Sequence, residues 1–166
     1  MKKIITVAIA IIAMTSFSAN AKLYVGGSAG IDFTTGNNSS NTSWTIAPEV
    51  GYNFNEKIGV GMALSFGGNG GSGSSVFCVE ADPYFRWYFA KVGKVKFLND
   101  VVLSLGAVDS KFTWGINLRP GIAVDLTEKW GIVSHIANIG YTGIKDSGTF
   151  NLDILGRVDI GIYYNF

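Results

Sequence analysis

The stretch Arg157-Val158-Asp159-Ile160-Gly161-Ile162-Tyr163-Tyr164-Asn165-Phe166 decides the fold. Every second residue back from Phe166 is apolar: Tyr164, Ile162, Ile160 and Val158 follow it on one face. The other face carries Asn165, Tyr163, Gly161, Asp159 and Arg157. Successive side chains of a strand point to opposite faces, so this segment has two different surroundings. A soluble sheet would bury the apolar stripe in a core and leave Asp159 and Arg157 in water. A strand of a closed transmembrane barrel reverses that assignment, with the stripe in lipid and the charges in the lumen.

The remaining sequence repeats the alternation seven times. Residues 23–33, 44–54, 58–67, 76–89, 97–105, 112–125 and 130–141 each read as a strand, and residues 150–166 make the eighth. Tight turns fall at Asn55-Glu56-Lys57, Ala90 to Lys94 and Thr127-Glu128-Lys129. Polar loops are expected at residues 34–43, 67–75, 108–111 and 143–149. A hairpin pattern recurs three times, running from Pro48, Pro83 and Pro120 to Gly59, Gly93 and Gly131. Proline cannot donate to a ladder and a closed barrel has no edge, so each proline predicts a bulge or a missing ladder bond. In the seventh strand Ser134 and Asn138 share a face with Trp130, Ile132 and Ile136. Either a bulge shifts the register there or polar residues face outward near a rim.

The outward aromatics collect at two heights. Phe54, Trp87, Phe89 and Trp130 sit near the tight turns, and Phe33, Trp44, Phe66 and Trp114 near the loops, with aliphatic residues between. Two girdles flanking an aliphatic band suit a bilayer. A soluble ligand-binding barrel would instead place its aromatics inside. The inward set holds Glu49, Glu80, Asp82, Asp100, Asp125 and Asp159 with Arg86, Lys96, Arg119 and Arg157. These predict an ion-paired lumenal network, since an unpaired charge in a low-dielectric interior is costly. Small residues from Gly59 to Ser65 leave room for the long side chains opposite. Eight strands enclose a lumen that side chains fill, so a wide pore is not expected.

The first residues read as a secretory signal: Met1-Lys2-Lys3, an apolar run over residues 4–14, and Ala19-Asn20-Ala21 as a cleavage motif. Residues 1–21 are thus a cleaved segment, Lys22 the mature N-terminus, and residues 22–166 one barrel domain. Charged residues are 15% of the chain, below the roughly 25% of soluble domains, while glycine (22) and aromatics are abundant. A formal net charge of +1 with no basic patch argues against nucleic acid. Cys78 is the only cysteine, so no intrachain disulfide is possible, and no metal-ligand spacing stands out. No cofactor is expected.

The terminal signature Val158, Ile160, Ile162, Tyr164 and Phe166 resembles the last strand of bacterial outer-membrane β-barrel proteins. Across residues 22–166 the pattern is similar to the small OmpA/OmpX-like, eight-stranded, antiparallel up-and-down barrels. That resemblance implies a Gram-negative cell outer membrane and export through the secretion translocon and signal peptidase. It also implies folding by the outer-membrane assembly machinery, which reads the terminal strand, and contact with outer-membrane lipid and lipopolysaccharide. The expected role is structural or surface-interacting, through short loops on a filled polar lumen, in a monomer. The alternative is a narrow porin-like channel. Lipid-modifying enzymes built on such barrels use Ser, His and an acid. The single histidine, His135, adjoins Ser134, and neighbours on a strand face opposite ways, so no catalytic residue is assigned and His135 is expected to face the lumen as a hydrogen-bonding residue.

Overall fold

The computed structural model of the chain describes residues 22–36, 39–71, 74–108, 111–144 and 147–166. The expected cleavage motif at Ala19 and Ala21 lies outside them. Eight strands run in order: β1 (Lys22–Gly36), β2 (Ser39–Asn53), β3 (Ile58–Gly71), β4 (Ser74–Val92), β5 (Val95–Val108), β6 (Lys111–Asp125), β7 (Trp130–Ile144) and β8 (Ser147–Asn165). Each pairs antiparallel with the next, and β1 pairs with β8 to close the barrel. No described helix is long and apolar enough to cross a membrane.

At one end the strands are joined by tight turns with legible chemistry. Asn55 Oδ1 accepts from the amides of Lys57 and Ile58 at 2.8 and 3.0 Å. Thr127 Oγ1 accepts from those of Lys129 and Trp130 at 3.2 and 2.9 Å. Side-chain acceptors two and three residues ahead of an amide are what turns of this type need. β4 and β5 meet through Gly93-Lys94 alone, and Gly93 takes a φ of 60°, where an L side chain is strained. That turn is tighter than the five residues expected from the sequence.

At the other end the expected loops are largely strand. β1 and β2 stay in register from Lys22↔Asn53 out to Gly36↔Ser39, and β3 and β4 from Ile58↔Trp87 to Gly71↔Ser74. Serine, threonine and glycine signal loops only weakly once a hairpin already fixes the register, because the ladder needs backbone groups alone.

Each proline interrupts the ladder toward its tight-turn partner. Pairing of β2 with β3 skips from Ile46↔Phe66 to Glu49↔Ala63 around Pro48, and that of β4 with β5 from Ala81↔Leu105 to Tyr84↔Val102 around Pro83. Opposite Pro120 the β6–β7 register shifts between Leu118↔Ile139 and Gly121↔His135. This bulge answers the question of the seventh strand. Ser134 stays on the outer face with its partners Ile122 and Ile160, whereas Asn138 moves to the lumenal side with Asn117's partner Gly140 and Asp153.

The outer face is apolar. Leu23, Val25, Ile31, Ile46, Val50, Leu64, Val101, Leu103, Ile116, Ile160 and Ile162 are exposed, and so are Phe66, Phe89 and all four tryptophans. Phe54 is half-buried, its ring edge-on to the buried Tyr52. The side chain of Phe33 lies outside the described residues. The core is inside: Tyr24, Tyr84, Leu98, Val102, Ala123, Val133 and Tyr163 form one buried cluster. Tyrosines fill the lumen by lying across glycines of the neighbouring strand. A methyl added to Gly51, Gly61 or Gly131 would collide with the ring of Tyr24, Tyr84 or Tyr163.

Candidate functional site

Among the described residues, the lumen is where charge is concentrated away from water. Its centre is Arg86 of β4, with 1% of its surface exposed, paired with Asp100 of β5 at 2%. They are direct register partners, so both point inward at one height. Arg86 Nε donates to Asp100 Oδ1 at 2.8 Å and Nη2 to Oδ2 at 2.7 Å, a bidentate geometry. The guanidinium also lies 4.9 Å from the ring centre of Tyr84 and 5.9 Å from that of Tyr24.

A third group joins from farther away. His135 of β7 leans across Gly121 of β6, where a Cβ would meet its ring at 3.1 Å. Its Nε2 thereby reaches Asp100 Oδ2 at 2.8 Å. Both oxygens of Asp100 are therefore engaged. Above the pair, Tyr24 and Tyr84 share a 2.5 Å hydroxyl contact and Tyr84 donates to Glu49 Oε2 at 3.3 Å. Below it, Lys96 meets Asp125 at 2.7 Å, and Tyr163 donates to the same carboxylate at 2.9 Å. Asp82 accepts from Ser65 at 2.6 Å.

Two lumenal cavities share no lining residue. One of about 810 Å³ opens at the tight-turn end between Lys22, Lys91, Lys94, Glu56, Glu128 and the Lys96–Asp125 pair. The other, about 190 Å³, lies toward the hairpin tips among Ser28, Thr45, Ser65, Cys78, Glu80, Arg119 and Asp159. Glu80 and Asp159 each hold an interaction. The side chains of Arg157 and Val158 are outside the described residues. Of the terminal signature, Ile160, Ile162 and Phe166 are exposed and Tyr164 packs edge-on to Phe166 and Trp130. The girdle residues Trp87, Phe89 and Trp130 stand at the tight-turn end, and Trp44, Phe66 and Trp114 toward the tips.

His135 hydrogen-bonds inside the lumen as the sequence leads one to expect, while its partner Asp100, and the places of Leu98 and Tyr24 in the core, are not named by the sequence. The period-two pattern places each inside, but only the cross-strand register brings His135 to Asp100. No cluster of three or more His, Cys, Asp or Glu able to hold a metal occurs among the described residues.

An apolar exterior, a charged interior and a closed antiparallel barrel together suit a place in lipid. Solved structures share this architecture. Neisserial surface protein A aligns over 88% of this chain and 96% of its own, at 12% identity and a TM-score of 0.56. The chain has the fold of the small outer-membrane β-barrels. Escherichia coli outer membrane protein W covers 90% of the chain and 100% of its own at 11% identity, with a TM-score of 0.52. Yersinia pestis Ail covers 89% and 100% at 11%, with a TM-score of 0.51. No family model and no curated protein matches the sequence.

Proposed function

We propose that the protein is a non-enzymatic, integral component of a bacterial outer membrane, closed to diffusion along its axis and acting through its tips and its lipid-facing wall. The observation that carries this reading is the buried Arg86–Asp100–His135 cluster, which lines neither of two lumenal cavities that have no lining residue in common. A buried, bidentate ion pair resists separation, because parting the charges would leave each without compensation in a low-dielectric interior. His135 Nε2 meets Asp100, and no hydroxyl or thiol is hydrogen-bonded to the ring among the described residues, which supports a structural role. Export by the secretion machinery, assembly through the Val158-to-Phe166 signature and contact with lipopolysaccharide belong to the same proposal.

A second reading, a narrow gated ion path, draws on the two polar cavities of the lumen. Planar-bilayer conductance separates the two. Residues 22–166, refolded and showing a heat-dependent gel shift, are expected to stay electrically silent. Discrete steps altered by Arg86→Ala would overturn the closed reading and make the lumen the functional site.

A further inference from the structure

The lysines of the tight-turn end do more than the turns require. The recurring hairpin pattern carries Lys57, Lys91 and Lys129, each two residues ahead of its glycine. In the first and third turns only the backbone amide of the lysine is used, held by Asn55 or Thr127. All three side chains are exposed and make no hydrogen bond or ion pair among the described residues. Lys22 and Lys94 stand exposed at the same end. Beyond the Lys96–Asp125 pair, five exposed lysines thus face two exposed glutamates, Glu56 and Glu128. A carboxylate at the end of Phe166 would leave the sign unchanged. At the other end the sequence balances: residues 34–43 and 67–75 hold no charge, and Asp109 and Asp146 offset Lys111 and Lys145.

Two of these lysines are set on the outside of the rim. Lys57 lies one residue beyond the rung Ile58↔Trp87, and Lys129 one residue beyond Trp130↔Tyr164. Those rungs carry the outward aromatics, with Trp87 49% and Trp130 50% exposed. A shallow groove of about 430 Å³ lies among Lys57, Ile58, Trp87 and the turn residues Asn55 and Glu56. The Lys129 ammonium is 5.7 Å from the ring centre of Tyr164, which packs edge-on to Trp130 and Phe166. The mouth of the lumen takes the remaining lysines, Lys22, Lys91 and Lys94, together with both glutamates. Aromatic rings of a spanning segment sit at head-group level, and a lysine one residue farther out carries its charge to the phosphates. Cations beside lipid-facing rings suit a lipid head better than a polymer lying across the mouth.

We infer that the tight-turn rim binds net-anionic glycerophospholipids, with Lys57 and Lys129 at their phosphates and Trp87, Trp130 and Tyr164 against the glycerol and upper chains. This inference rests on the membrane-inserted reading, in which short turns face the periplasmic leaflet. It is tested on residues 22–166 refolded in phosphatidylcholine vesicles that contain brominated phosphatidylglycerol or, at the same mole fraction, brominated phosphatidylcholine. Tryptophan quenching is read in two backgrounds: Trp44→Phe with Trp114→Phe keeps the tight-turn pair, and Trp87→Phe with Trp130→Phe keeps the pair toward the tips. With the tight-turn pair, the anionic lipid should be preferred about fivefold at low salt, the worth of one lysine at an anionic surface. Lys57→Gln with Lys129→Gln should bring the preference close to one, and the pair toward the tips should show none. Salt offers a check that needs no lysine variant, since the preference should fade at about 1 M, where the Debye length is about 3 Å. A preference that survives salt and the double replacement, or one equally strong toward the tips, would overturn the site. So would equal quenching by the two lipids together with lysine-dependent sedimentation on insoluble peptidoglycan, which would make the partner an acidic polymer. Quenching by neither brominated lipid, with no heat-dependent gel shift, would instead sink the membrane reading beneath it.

Discussion

Single residues divide here into those that fill the lumen and those that make room for the filling. Arg86 and Asp100 hold each other's charge, so removing one partner is worse than removing both. Arg86→Ala is expected to destabilise the barrel by roughly 3–5 kcal/mol, whereas Arg86→Met with Asp100→Leu loses much less. Urea unfolding in lipid vesicles, followed by tryptophan emission, ranks the two. Gly131 contributes by absence: its missing Cβ is where the Tyr163 ring lies. Gly131→Ala should cost about 1–3 kcal/mol through forced repacking, and Tyr163→Ala in the same chain should recover part of it. Additive losses in that double variant would show that the ring and the glycine do not share the site.

At the scale of elements, the alternation of apolar and polar residues was enough to find all eight strands and to put Arg86, Asp100 and Lys96 inside. Pattern is legible because lipid and lumen impose opposite demands on alternate residues of every strand. What alternation cannot carry is phase across a bulge. Asn138 reads as outward from Trp130 by counting twos, and the extra residue opposite Pro120 turns it inward. Nor can it show reach: the His135–Asp100 contact spans an intervening strand and depends on Gly121 having no side chain. The tips misled for a different reason, since serine and glycine mark loops in isolation but accept strand geometry when the hairpin below is already paired. The β1–β8 zipper, which runs from Tyr24↔Asn165 to Ala29↔Ile160, yields a prediction at this scale. Backbone amides in a ladder exchange only through local opening, whereas those without ladder partners need none. Those of residues 30–33 directed at β8 should exchange with deuterium much faster than those of Tyr24 to Ala29. Equal protection along β1 would mean that the seam is zipped to the top.

The whole molecule is a barrel turned inside out relative to a soluble one, and its four tryptophans report on that directly. Trp87 and Trp130 stand at the tight-turn end, Trp44 and Trp114 toward the tips, and all are exposed on the outer face. In a folded, inserted chain they contact lipid, with none in the lumen. The decisive measurement is tryptophan quenching in refolded vesicles, comparing lipids brominated near the head group, lipids brominated near the chain end, and aqueous iodide. Strong quenching by the head-proximal bromines, weaker quenching by the chain-end bromines and little effect of iodide are predicted. Emission quenched by iodide and untouched by brominated lipid would contradict a lipid-facing exterior, and with it the barrel's place in a membrane.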